Sequence, residues 1–173
     1  MRLFIAIELP QDIKEGLMKM EDALKPHIAD IKWVEKENFH ITLRFLGEIE
    51  EALLKDVEVS VEETANNCSS FDISLSKIGT FPYVIWVGID KGKEILADIA
   101  RKLDESLVKY GFSPADKPFS PHITLGRSKR TIKKIPQVDI KALQFRAESV
   151  TIVKSTLLPR GPIYEPVRRF PFL

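Results

Sequence analysis

Two of the chain's three histidines lie in the same tetrapeptide: residues 40–43 and 122–125 both read His-Ile-Thr-Leu. Histidine is the side chain whose charge changes closest to neutral pH. Two of them around one reacting centre can serve as base and acid in a single displacement. Side chains on a strand alternate between its faces, so a residue and the second one after it project together. His40 therefore shares a face with Thr42, and His122 with Thr124, leaving Ile41, Leu43, Ile123 and Leu125 for a core. Threonine hydroxyls beside the imidazoles could donate hydrogen bonds to non-bridging phosphate oxygens as charge develops on them.

A lone histidine on a half-apolar strand is more often structural than catalytic. His27, just after Pro26, is left in that role as a surface or loop histidine. The repetition sets His40 and His122 apart, because chance does not put two of three histidines into identical tetrapeptides 82 residues apart. Metal sites usually ask for three or four ligands, often with a carboxylate or thiolate beside the histidine. Here threonine, a poor ligand, fills that place in both copies. We expect neither a metal nor a cofactor.

The segments around the motifs must hold them. Leu3, Ile5, Ile7 and Leu9 alternate with Phe4, Ala6 and Glu8, which is a strand over 2–9. Pro10 opens a helix carrying Ile13, Leu17, Met20 and Leu24, and Pro26 stops it. Residues 31–35 and 38–46 read as strands around a polar turn, and 50–66 as a helix with Leu53, Leu54, Val57 and Val61 inward. Phe71, Ile73 and Leu75 mark a half-buried strand, and 84–90 another. A helix over 94–110 shows a stripe of Ile95, Ile99, Leu103 and Leu107, ending at Gly111. Strands follow at 119–127, 143–157 and 163–170, with Gly161-Pro162 between the last two.

Helices separating pairs of strands predict an α+β fold of antiparallel or mixed sheets with helices on the outer faces. Helix and strand pairs surround each motif copy, so we expect a bilobal chain. Its two pseudo-symmetric lobes would face a central cleft, within one domain over 1–173.

The 173 residues suit one domain with a substantial core, and 44% hydrophobic against 29% charged residues is ordinary for a globular protein. A single cysteine, Cys68, excludes an internal disulfide and points to a reducing cytoplasm. No apolar run approaches the ~20 residues of a membrane span, and with no bare apolar strip we expect a monomer. The net charge of +1 is uneven. Residues 127–173 hold eleven Lys and Arg against three acids, which leaves the first 126 residues at −7. A basic face attracts polyanions, although lysine-rich solvated surfaces are common.

These residues resemble the 2H phosphoesterase family, named for two His-x-Ser/Thr-x motifs, and within it the RNA 2′,3′-cyclic phosphodiesterase (2′-5′ RNA ligase) branch. The resemblance spans the opening RLFIAI, FHITLRFLGE at 39–48, GTFP at 79–82, WVG at 86–88, PHITLGR at 121–127 and LPRGPIY at 158–164. It implies metal-independent hydrolysis of a terminal 2′,3′-cyclic phosphate on RNA to a 2′-phosphomonoester. His40 would be the proton donor and His122 the proton acceptor. Thr42 and Thr124 would hold the phosphoryl oxygens, and Arg127 would bind phosphate. The residues themselves do not say which imidazole is the base.

Other expectations stay open at this stage. Arg127 is an odd number of residues past His122, so a regular strand would turn it away unless Gly126 or the strand end redirects it. Arg44, at an even offset from His40, should share its face and is a second phosphate candidate. Phe45, Trp33, Phe81, Trp86 and Tyr164 could stack on a base, but aromatic strand residues are usually core. The ligase direction would use a ribose 5′-hydroxyl in place of water. A non-catalytic module binding RNA phosphate ends is the alternative of a different class.

Overall fold

In the computed structural model, residues 1–138 and 143–173 are described; Asp139 and Lys141 of the charge balance lie outside them. Among the described residues nine strands form two antiparallel sheets: β1 (Arg2–Glu8), β2 (Ile31–Trp33), β3 (His40–Glu48), β4 (Phe71–Phe81), β5 (Val84–Ile89), β6 (His122–Ser128), β7 (Gln144–Ala147), β8 (Ser149–Leu158) and β9 (Gly161–Pro171). The first sheet runs β3-β1-β8-β9 and the second β2-β6-β5-β4-β7. The first motif strand, β3, lies on β1, and the second, β6, on β5.

The sheets exchange strands between the halves of the chain. β2, from the first half, pairs with β6 at the edge of the second sheet. β8 and β9, from the end of the chain, complete the first sheet. The run 143–157, read as one strand, is two. β7 pairs with β4 of the second sheet, and after Glu148 the chain continues as β8 on β1 of the first. The core face changes parity at this corner, from Phe145 and Ala147 to Val150 and Ile152, and the pairing partners show that the run changes sheets there. Gly161-Pro162, expected between strands, opens β9 instead.

Three helices, α1 (Gln11–Leu24), α2 (Leu54–Asn66) and α3 (Lys93–Lys109), cover the sheet faces turned away from the cleft. Ile13, Leu17 and Leu24 of α1 are buried as expected. Two stripe residues are corrected. Leu53 and Ile95 are exposed, whereas Leu96, Ile99 and Leu103 are fully buried. The rest of the α3 stripe, Ile99, Leu103 and Leu107, is buried as expected, and only its first position moves, from Ile95 to Leu96. One core joins both sheets to the helices. A smaller cluster of Phe4, Ala6 and Val153 lies on the opposite face of β1 and β8, toward the cleft. Among the described residues no helix is long and apolar enough to cross a membrane.

Candidate active site

β3 and β6 carry His40, Thr42, His122 and Thr124 to the walls of one cavity of about 310 Å³. In each strand the first and third residues are half-exposed while the second and fourth are buried. The cavity thus collects the polar side chains while Ile41, Leu43, Ile123 and Leu125 anchor the strands behind them.

Both imidazoles are held by the backbone two residues upstream. His40 Nδ1 lies 2.7 Å from the Asn38 carbonyl, and His122 Nδ1 lies 2.8 Å from the Ser120 carbonyl. A carbonyl only accepts, so in each ring Nδ1 carries a proton and Nε2 is the atom that can take or give one. The surroundings of the two rings then differ. His40 Nε2 is 2.7 Å from Thr42 Oγ1, which donates to it while the ring is neutral. Phe4 packs against His40 at 4.7 Å between ring centroids and Tyr164 meets it edge-on at 5.4 Å. Desolvation by this enclosure pulls the His40 pKa down to about 4; the opposing hydrogen bond to Asn38, and repulsion from His122, Lys14 and Arg127, are smaller. His122 faces Phe81 edge-on at 6.5 Å.

Arg127 reaches the cavity through a bulge. Opposite Trp86 and Ile85 of β5 stand Thr124 and Gly126, so Leu125 is an extra residue in the ladder. That inserted residue returns Arg127 to the face of His122 and Thr124 despite its odd offset. Gly126 allows the close crossing of β2, since a Cβ there would lie 2.6 Å from Ile31.

The same device overturns the expectation for Arg44. Opposite Ala6 and Ile5 of β1 stand Thr42 and Arg44, so Leu43 is extra. Arg44 is thereby turned to the helix side, where it pairs with Asp104 of α3 and donates to the Ser113 carbonyl. It does not share the face of His40 and Thr42 and lines no part of the cavity. Phe45 moves the other way. Expected in the core, it is 63% exposed and lines the cavity. Tyr164 and Trp33, also expected to be core, line it as well while half-buried. Phe81 is exposed and Trp86 half-buried, stacked on each other at 5.3 Å beside His122.

Sequence reasoning missed Asn38, Phe4, Lys32 and Arg160. Buried Asn38 gives its carbonyl to His40 and its Nδ2 donates to the Pro162 carbonyl at 3.0 Å, tying the β8–β9 turn to the cleft. Phe4 had a signal: β1 is apolar on both faces, which no one-sided sheet requires. Arg160 had one too, its place in the LPRGPIY segment, whereas Lys32 had none, being a single cation on a short strand. Among the described residues no three His, Cys, Asp or Glu side chains gather closely enough to hold a metal ion.

Fold and site together define a two-lobed α+β protein of the 2H phosphoesterase class, with one His-x-Thr strand per lobe. The chain belongs to the LigT-like phosphoesterase family, whose model matches residues 7–86 and again 87–164, once in each half. An RNA 2′,3′-cyclic phosphodiesterase of Methanocaldococcus jannaschii is 37% identical, over 98% of this chain and all of that protein. Among solved structures, TT0787 of Thermus thermophilus superposes with a TM-score of 0.88 at 29% identity, covering 99% of this chain and 98% of that one. E. coli LigT complexed with 3′-AMP gives 0.83 at 26% identity, covering 99% and 97%.

Proposed function

We propose that the chain hydrolyses 2′,3′-cyclic phosphate ends of RNA to 2′-phosphomonoesters. One observation carries this: two imidazoles, each with its Nδ1 proton fixed by a carbonyl, line one cavity together with two threonines and an arginine. The relatives named RNA 2′,3′-cyclic phosphodiesterase support the substrate class.

In the proposed reaction a water oxygen attacks phosphorus in line with the departing 3′ oxygen. His122 Nε2 takes the water proton, and His40 Nε2 gives its proton to O3′ as the P–O3′ bond breaks. The product keeps phosphate on O2′ and a free 3′-hydroxyl. His40 is neutral in the free protein, so its proton must arrive with the substrate: a phosphodiester anion beside the ring raises its affinity for one. Protonation also makes Nε2 a donor and frees the Thr42 hydrogen for a phosphoryl oxygen. Thr124 and Arg127 hold the remaining charge. The two imidazoles make both proton transfers, so the scheme needs no metal.

We also propose that the whole chain acts as one unit and as a monomer, because both lobes wall the cavity, in a reducing compartment where buried Cys68 stays a free thiol. With a ribose 5′-hydroxyl in place of water, the same groups would form a 2′-5′ bond.

The test is product analysis by phosphorus NMR after incubation with a nucleoside 2′,3′-cyclic phosphate and a chelator. The 2′-phosphate alone is expected. Bound but unchanged substrate would instead mark a module that recognises RNA ends, and a 3′-phosphate would contradict the assigned leaving group.

A further inference from the structure

A second cavity, of about 390 Å³, adjoins the first, and Lys32 and Arg127 are walls of both. These two cations are direct cross-strand partners on β2 and β6. Like charges directly opposite each other on antiparallel strands destabilise the pairing. Among the described residues neither joins an ion pair that would relieve it. Lys129 and Arg130 add two more cations to the second cavity. Its one carboxylate, Asp30, reaches Arg130 only at 4.0 Å with both side chains largely exposed, a pair worth little. The segment carrying these cations is fixed to the sheet. Ser128 N donates to the Tyr83 carbonyl at 2.9 Å, Ile132 N to Pro82 at 2.7 Å, and Arg130 N to Ser128 Oγ at 3.0 Å. Four cations held around one weakly paired carboxylate concentrate positive charge that favours an anion.

RNA with a cyclic phosphate at its 3′ end continues only toward its 5′ side, so the next anion along the chain is the phosphodiester on the terminal nucleotide's 5′ oxygen. We propose that the second cavity is the subsite for that phosphodiester, with Arg127 and Lys32 between the two phosphates and Lys129 and Arg130 on its far side. This rests on the cyclic phosphodiesterase reading and adds to it a direction for the RNA strand and a preference for oligonucleotides over mononucleotides. The contact is to phosphate and carries no base readout.

The experiment compares kcat/KM for cytidine 2′,3′-cyclic phosphate with that for the dinucleotide CpC ending in the same cyclic phosphate. It uses the wild-type chain and a Lys129→Ala/Arg130→Ala variant, with melting curves checking that both fold. Wild type should favour the dinucleotide at least tenfold, and the variant should bring the ratio to within threefold of one. The salt dependence for the dinucleotide should become shallower by about 0.7 in log–log slope for the lost phosphate contact. A dinucleotide with an uncharged methylphosphonate linkage should fall to mononucleotide efficiency on wild type, a readout that needs no variant. Equal efficiency on both natural substrates, or an unchanged ratio in the variant, overturns the subsite alone. No turnover of either overturns the phosphodiesterase reading and the subsite with it.

Discussion

Phe45 and Arg127 occupy the same place in the two halves of the molecule. Each stands five residues past its histidine, each follows a one-residue bulge, and each faces the shared cavity. The halves are therefore alike in backbone and unlike in chemistry. One side meets the cleft with an aromatic ring, the other with a guanidinium.

Arg127 and Arg44 should separate cleanly on substitution. On the proposed mechanism, Arg127→Ala removes a donor to the transition-state phosphoryl group and should lower kcat/KM by about 10²–10³. Arg44→Ala should leave turnover near wild type and lower stability by about 1–2 kcal/mol, because it breaks the contacts of a half-buried guanidinium to Asp104 and Ser113. Steady-state kinetics and denaturant melts on both variants check this. A large kinetic defect in Arg44→Ala would return that residue to the site.

The direction of proton transfer is open to a leaving-group test. His40→Ala and His122→Ala should each cost about 10²–10⁴ in rate on the cyclic substrate. A nitrophenyl phosphodiester departs without needing a proton, so it should recover most of the His40→Ala loss and none of the His122→Ala loss. Recovery in His122→Ala instead would exchange the two roles.

Stability should depend on acid through His40. Its folded pKa, about 4, lies below the ordinary 6.5. The unfolded chain thus binds the proton first, and stability is fully present above about 6.5 and lost as pH falls toward 4. The loss from this group is on the order of 3 kcal/mol. Chemical melts across that window should show a flatter profile for His40→Gln; an identical profile would mean the ring is not enclosed in solution.

Glu21 should act with the opposite sign. It is buried on the inner face of α1 with no hydrogen-bond partner for Oε1 among the described residues, and desolvation raises its pKa to about 8. Its folded form keeps the proton, so its contribution is greatest below about 4.5 and is lost as pH rises toward 8. Glu21→Gln should stabilise the protein by about 1–3 kcal/mol at pH 8 and hardly at all at pH 4. Equal effects at both values would count against a protonated carboxyl.

The repeated tetrapeptide was enough to single out the paired histidines and the threonines beside them, and the order of helices and strands was enough for the α+β class. Those features depend on local alternation, which residue types record directly. Arg44, Phe45 and Arg127 were misjudged or left open for one reason: a side chain's face is a parity, and a single inserted residue reverses it. Leu43 and Leu125 look like any other core leucines in the sequence, and only their pairing with β1 and β5 shows them to be extra. The exchange of β2, β8 and β9 between the halves was equally hidden, since hydrogen-bonding partners far along the chain leave no periodic trace. The sequence alone singled out the groups proposed to do the chemistry; the tertiary structure decided which of them face one another, because register and strand partners are set by packing across the whole core.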